Sequence, residues 1–495
     1  MSEPGRRVPD GLGTRAARGA AVTVAGQGAR IAVQVVSVVV LARLLSPHDY
    51  GLLAMVLTVV GIGEIFRDFG LSSAAIQAPT LSRGQRDNLF WMNAAIGLLL
   101  GMIVFFSSPL IAMLYGEAEL VPLTQLLSLT FVINGLTTQY RADRNRSMKF
   151  TVLAVSDIAA AVIGLTCAVA AALAGWAYWA LAVQQLVQCM VGLIILVGSA
   201  HWLPHLPDRT APIRGFLRYG WHLVGTQLIG YLSNNIDFVI IGTRFGAAQL
   251  GVYSRGFQLL MQPLGQLRSP TTRVALPVLS RLNEHRDRYG EFIVRGQQAL
   301  GYTLVAGLGL VIAAAEPLTA ILLGSKWEAV TPILRLLAVA GIFQTMAYVG
   351  YWVYLSRGLT AELFRYTLVT SAIKVTCIVA GSTFGIVGVA AGYALAPAIA
   401  WPISLAWLSR RTEIPTRRLY AGAFRILVVV GAAAAAGWAA ASAVGPGHAL
   451  VQLVVALATG LLVYGLASLV PPLRRDIVAV VQIAQLLPRL RSRRT

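Results

Sequence analysis

The stretch VVVLARLLSPHDYG, residues 38–51, lines up with DFVIIGTRFGAAQLG, residues 237–251, and the two end on Gly51 and Gly251, each opening a further apolar segment. Two more pairs keep nearly the same spacing. APTLSR (78–83) reappears as LPVLSR (276–281), and GWAYWALAV (175–183) resembles GIVGVAAGY (385–393). A chain that repeats itself after about two hundred residues is built from two related halves.

Composition says what those halves are made of. Of 495 residues, 57% are hydrophobic and 12% charged, and mean hydropathy is +0.70, whereas soluble domains carry about 25% charged residues. This is an integral membrane protein. Apolar stretches of ~20 residues, enough to span ~30 Å of hydrocarbon as helix, recur along the whole chain. Fourteen are expected, at 20–43, 50–70, 88–108, 120–139, 151–173, 177–199, 219–242, 249–272, 292–314, 329–355, 362–383, 386–408, 422–443 and 448–470.

Loops at alternate ends differ in charge. Arg6, Arg7, Arg15 and Arg18 precede the first span, Arg83 and Arg86 follow the second, and Arg141, Arg144, Arg146 and Lys149 follow the fourth. The alternation continues to the tail RLRSRRT, while the opposite loops hold almost no cations. By the positive-inside rule this predicts an even number of spans with both termini in the cytoplasm. The net charge of +20 is therefore read as a topology signal facing anionic lipid headgroups. A nucleic-acid partner is not expected, because no soluble domain presents a basic face. No cleavable signal peptide is apparent. Cys167, Cys189 and Cys377 lie scattered in apolar helices and read as small core hydrophobes.

The expected fold is therefore all-α: a polytopic membrane protein with two six-helix lobes related by a pseudo-two-fold repeat, plus two extra C-terminal helices. An N-lobe at 1–200 and a C-lobe at 216–410 would flank a cytoplasmic linker at 201–215. Spans 13 and 14 (411–472) lie outside the repeat, and 473–495 reads as a basic amphipathic tail on the inner leaflet. Six being even, the halves share one orientation, an arrangement that suits a transporter rocking about a site between bundles.

Polar residues on helical faces mark such a site. In span 1, Thr23, Gln27, Arg30, Gln34 and Ser37 form one stripe, and in span 7, Gln227, Tyr231, Asn234 and Asp237 form another. At an offset of 200, Gln27 matches Gln227, Gln34 matches Asn234 and Ser37 matches Asp237. Span 8 adds Arg255, Gln258, Gln262 and Gln266 on one face, and Asp157, Gln184, Gln185, Gln188, Arg335, Gln344 and Lys374 stand isolated. A mid-membrane charge costs at least ~2.5 kcal/mol, so Arg30, Arg255 and Lys374 are candidate cavity cations. Structural ion pairs or interfacial anchoring are the bland readings. Asp157 and Asp237 are candidate proton acceptors or partners for these cations, or satisfied interhelical groups, and the glutamines suit either helix contacts or sugar hydroxyls.

Span 2 carries Glu64, Arg67 and Asp68 in GIGEIFRDFG. Counted from Asp49 at 1.5 Å per residue, Glu64 lies ~22 Å and Asp68 ~28 Å along the helix. Arg67 and Asp68 are expected at the solvated cytoplasmic lip, with Glu64 deeper, as a structural or gating cluster or an ion-coupling one. Nothing in the chain assembles a catalytic constellation: no HExxH, GxSxG or Walker sequence is present. His201 and His205 have helical metal-ligand spacing, but Pro204 breaks that helix. No metal, cofactor or catalytic residue is expected.

LARLLSPHDYG followed by FRDFGLSSAAIQ resembles the polysaccharide transporter branch of the multidrug/oligosaccharidyl-lipid/polysaccharide flippase superfamily, similar to Wzx-type exporters. The likeness covers the chain in span count and repeat layout, with the specific text concentrated in residues 30–90. It implies two lobes around a central cavity, alternating access, and a substrate of undecaprenyl-diphosphate-linked oligosaccharide moved to the outer leaflet of a bacterial inner membrane. It further implies cavity arginines that hold the diphosphate, for which Arg30 and Arg255 are the matching positions. Guanidinium groups suit two phosphates because they donate bidentately and stay charged in a partly dry cavity. Partners expected on this reading are the lipid-linked substrate, membrane lipids, a polysaccharide polymerase and glycosyltransferases. A lipid II flippase and a multidrug cation antiporter of the same superfamily are the alternatives; the antiporter needs more acidic groups than the helices here supply.

Overall fold

The computed structural model describes residues 12–68, 81–208, 214–445 and 447–476, with side chains described throughout these except at 12–25, 68, 214–226 and 229. Every regular element among the described residues is helical. The basic N-terminus (1–11), residues 209–213 of the linker and the tail from 477 onward lie outside the described residues, as does the side chain of Asp68.

The start of the chain shows how one apolar run is cut into two. Helix α1 spans Leu12–Leu44 and α2 spans Pro47–Asp68. Pro47 lacks the N–H that a first helical residue would leave unused, and it disfavours helix at Ser46 before it. Ser46 then caps α2: its N–H and Oγ–H donate to Asp49 Oδ2 at 2.8 and 2.6 Å, and Asp49 N–H donates back to Ser46 Oγ at 3.3 Å. This is a capping box with aspartate in the usual place of glutamate.

Helix α3 (Arg83–Tyr115) opens on a Ser82/Gln85 capping box and stops at Gly116, whose left-handed backbone (φ 73°) lets its N–H reach Ala112 O at 2.8 Å. Helices α4 (Leu120–Arg146), α5 (Phe150–Leu173) and α6 (Trp179–Ser199) follow. The stretch Arg214–Arg281 is helical but breaks at Gly246 (φ 79°, ψ −179°), giving α7 (214–245) and α8 (247–281). Then come α9 (Arg286–Ala313, with a π-helical turn at Gly301–Val305), the short α10 (Ala315–Leu322), α11 (Val330–Ser356), α12 (Thr360–Gly381), α13 (Gly385–Ser409), α14 (Thr416–Ala443) and α15 (Ala449–Ala467).

Among the described residues, eleven stretches are long and apolar enough to cross a membrane. One of them, Thr360–Ser409, holds both α12 and α13. The polar stripes of α7 and α8 keep that pair out of the eleven, although each is long enough to cross. Each of the fourteen expected spans thus falls on a helix, as the all-α polytopic reading requires.

The chain forms two compact units, Met1–Gly251 and Val252–Thr495. In the first, α3 packs on α4, α5 on α6 and on α1, and α4 on α6. Small residues set these spacings, as expected where lipid gives no hydrophobic drive between helices. A Cβ on Gly97 would meet Phe131 O at 2.5 Å, and one on Gly135 would meet Asn93 O at 2.7 Å. The start of α8 crosses α2 even more closely. A Cβ on Gly51 would stand 1.7 Å from Ala247 O, and a Cβ on Gly251 would stand 1.7 Å from Pro47 O. These are repeat-related positions, so the crossing is reciprocal. Helix α7 also belongs to this unit, with Tyr231 OH donating to Thr58 O at 3.0 Å.

In the second unit α13 packs on α11 and α12, and α14 packs on α15 and on the end of α9. Tyr464 of α15 donates to Ala306 O at 2.9 Å, beside the π-helical turn of α9. Helical residues 471–476 follow, and Asp476 is gripped by Arg425 (2.8 Å) and Gln298 (2.7 Å), tying the chain's exit to α14 and α9.

Candidate functional site

Four helices of the first unit bring charged side chains together. Asp157, on α5, faces Arg30 of α1 at 3.7 Å and accepts from Arg141 of α4 at 2.5 Å. Arg30 remains 55% exposed and Asp157 24% exposed, so the pair lines an open cleft rather than being sealed inside it. Asn134 and Thr137 of α4 and Gln188 and Cys189 of α6 complete the lining. Asp157 is seven residues into α5, ~10 Å at the helical rise. The cleft therefore sits in the half of the unit next to the basic loops. One carboxylate shared by two guanidiniums leaves a net positive charge, directed at whatever enters.

Asn134 also joins this cleft to the charges of α2. Its Nδ2 donates to Glu64 Oε1 at 3.3 Å, and Arg67 Nε donates to Glu64 Oε2 at 2.7 Å. Arg67 further donates to Thr138 Oγ1 at 2.5 Å and to Asn134 O at 3.4 Å. With its side chain 16% exposed, Arg67 is held between α2 and α4 rather than solvated at a lip. The reason is that α4 packs against α2 and offers Asn134 and Thr138, polar residues inside the expected span 120–139, as partners.

The stripes of α1 and α7 are only partly buried. Gln27, Gln227 and Asn234 are exposed and Gln34 is half-buried, while Asp237 is fully buried. Ser37 accepts from Gln184 of α6 at 2.8 Å.

A second cationic cluster occupies the other unit. Lys374 Nζ lies 4.7 Å from the centre of the Tyr393 ring. Gln344 Nε2 donates to Tyr393 OH at 3.3 Å, and Arg268 donates to Gln344 Oε1 at 3.3 Å. Arg268 also lies 5.5 Å over Tyr348, whose hydroxyl accepts from Thr272, itself an acceptor for Trp352 Nε1, both at 3.1 Å. These contacts hold two cations, aromatic faces and an amide, and no carboxylate takes part in them. Arg255 is buried at 8% exposure and stands thirteen residues before Arg268, ~20 Å along α8, so it is not part of this cluster. Gln258 is half-buried and Gln262 exposed.

The structure thus joins Arg30 to Asp157 and Glu64 to Arg67, and it adds Arg141, Asn134 and Arg268. Arg141 sits in RADRNR and reads as a topology signal until α4 is known to extend through it. Arg268 lies two positions beyond Gln266, off the Gln258–Gln262–Gln266 stripe.

A sequence model described as polysaccharide biosynthesis protein matches residues 40–332. The lipopolysaccharide biosynthesis protein WzxC of Escherichia coli (strain K12) is 25% identical over 373 residues, 74% of this chain and 75% of that protein. The succinoglycan biosynthesis transport protein ExoT of Rhizobium meliloti (strain 1021) is 26% identical over 353 residues, 71% of each. Among solved structures, the inward closed conformation of the lipid II flippase MurJ superposes with a TM-score of 0.68 at 15% identity, covering 92% of this chain and 99% of that one. At that identity the likeness speaks for the fold.

Proposed function

The chain belongs to the polysaccharide biosynthesis protein family, whose sequence model covers more than half of it, and from that premise we propose that it is a flippase for a lipid-linked oligosaccharide. The substrate class is an undecaprenyl-diphosphate-linked glycan, moved by alternating access across a bacterial inner membrane for cell-surface polysaccharide synthesis. Both termini are cytoplasmic, and the two repeats, 1–200 and 216–410, form the working lobes. A polysaccharide polymerase and glycosyltransferases act on either side of the step.

The observation that carries this reading is the cleft of the first unit. Arg30 and Arg141 converge on Asp157 and keep exposed guanidinium surface. A diphosphate entering there exchanges water for bidentate charged hydrogen bonds, which are about twice as strong as neutral ones. Asn134 and Gln188 beside it are amides able both to donate to and to accept from sugar hydroxyls. In the second unit Lys374 and Arg268 supply further cations among Tyr348, Trp352 and Tyr393, whose faces suit the apolar side of a sugar ring. A pump for organic cations calls for the opposite balance, with carboxylates in excess.

Arg30→Ala tests the proposal. Surface polysaccharide, measured on intact cells of a strain lacking the wild-type copy, is expected to disappear while the amount of protein in the membrane is unchanged. Normal export by that variant removes Arg30 from the mechanism.

A further inference from the structure

We infer that the first unit carries a second anion site, a phosphate-binding pocket at its basic end that is separate from the Arg30 cleft. The pocket lies where the start of α3, the end of α4, the turn 147–149 and the residues after α6 meet, and it shares no lining residue with the cleft. Arg83, Arg86, Arg144, Arg146 and Lys149 line it, against the single carboxylate of Asp143.

Basic residues at a helix end have an ordinary explanation, since they set topology and face headgroups. Such side chains extend outward and stay exposed. Two here do not. Arg144 is 5% exposed and Arg86 21% exposed. Arg144 donates to Asp143 at 2.6 Å and to Ser199 O at 3.0 Å, and Arg86 stands 4.0 Å from the other oxygen of Asp143. One carboxylate thus orients two guanidiniums and neutralises only one.

The floor of the pocket is equally fixed. Arg86 lies 4.1 Å over the Trp202 ring, which stacks on Tyr140 at 4.7 Å and meets Phe90 edge-on. Buried Nε of Arg86, Nε of Arg144 and Nε1 of Trp202 have no hydrogen-bond acceptor. Burying donors without acceptors costs ~1–3 kcal/mol each, a cost taken on at the two guanidiniums that this pocket holds in place. Met148, in the left-handed region at φ 55°, reverses the chain so that Lys149 N–H returns to Arg144 O at 3.0 Å. The last cation is thereby folded back onto the rim.

The chemistry selected is a tetrahedral phosphate bearing one or two negative charges, from a lipid headgroup or from a soluble phosphate. The site's claim does not depend on the transport proposal.

The test uses the full chain, purified and delipidated in detergent. Native mass spectrometry follows titration with phosphatidylglycerol against phosphatidylcholine, and inorganic pyrophosphate is added as competitor. The expected result is one saturable phosphatidylglycerol site, weakened at least tenfold by Arg86→Gln with Lys149→Gln. The control pair Arg410→Gln with Arg418→Gln, exposed cations elsewhere, is expected to change it less than twofold. Competition by pyrophosphate assigns the site to phosphate from any source, and its absence assigns the site to headgroups. Equal loss in both pairs, or no saturable binding of either probe, overturns the inference. Should the pocket pair fail to elute as monodisperse protein, Lys149→Gln alone, in an exposed turn, reads the same affinity and is held to a threefold loss.

Discussion

Asp157 holds Arg141 at 2.5 Å and faces Arg30 at 3.7 Å, so three residues from three helices act as one charged group. Only two of them were legible in the sequence. Arg30 and Asp157 stand out because each interrupts an apolar run, whereas Arg141 hides in a basic segment whose charges already have a topological explanation. Arg141→Ala is therefore the informative substitution. It leaves Asp157 with a single, more distant cation and removes half of the guanidinium surface from the cleft. A lost charged hydrogen bond is worth ~1.5–3 kcal/mol, which is a drop of roughly tenfold or more in substrate affinity. Surface polysaccharide in the Arg141→Ala strain is expected to fall by at least that factor with membrane protein levels maintained. A strain exporting at the wild-type level would show that Arg141 serves topology alone.

At the scale of helices, the repeat pointed to Gly51 and Gly251 as equivalent starting positions, and their reciprocal contact explains why glycine stands at both. Each leaves room for the carbonyl of its partner's neighbour, Ala247 O or Pro47 O. A methyl group 1.7 Å from a backbone oxygen has no rotamer to escape into, so the helices must separate. Overpacking typically costs ~1–3 kcal/mol, and a clash with backbone belongs at the upper end. Gly51→Ala and Gly251→Ala are each expected to lower the thermal midpoint of the detergent-purified protein by several degrees. The double variant is expected to lose less than the sum, because the separation forced by one methyl makes room for the other. Gly28→Ala, where nothing lies within 4 Å of the added carbon, is the control and gains helix propensity instead. An unchanged midpoint in all three would mean that the crossing is not close. Other features of the elements were less legible. The extension of α4 to Arg146 is written in charged residues, which hydropathy counts as loop, yet it supplies Arg141 to the site. The break between α7 and α8 falls between the expected spans 219–242 and 249–272, at Gly246, whose φ of 79° other residues avoid; the repeat had pointed to Gly251 as the residue opening the next helix.

For the whole molecule, alternating charge was the strongest signal in the chain, and it makes a claim about sidedness that fold alone cannot make. Helices α3 to α6 run to and fro, so the loop after α6 lies at the same end as the start of α3, and the loop Gly116–Glu119 lies at the opposite end. The first of these ends holds Arg83, Arg86, Arg144, Arg146 and Lys149, and the loop Gly116–Glu119 at the second holds Glu117 and Glu119 and no cation. Cations within reach of the membrane are retained on the cytoplasmic side during insertion, while acids contribute little. Single cysteines at the two ends therefore separate the orientations. Leu206 (85% exposed) and Ala118, in the exposed turn between α3 and α4, are suitable sites in a background where Cys167, Cys189 and Cys377 are replaced by alanine. All three native cysteines are half-buried and pack as small hydrophobes, so their loss is expected to cost little. In intact cells a membrane-impermeant maleimide is expected to label Ala118→Cys fully, and Leu206→Cys only after permeabilisation. The reverse pattern would place both basic ends outside. The phosphate pocket and the Arg30 cleft would then open toward the wrong compartment for a substrate made in the cytoplasm, because both lie nearer the basic end of the same unit.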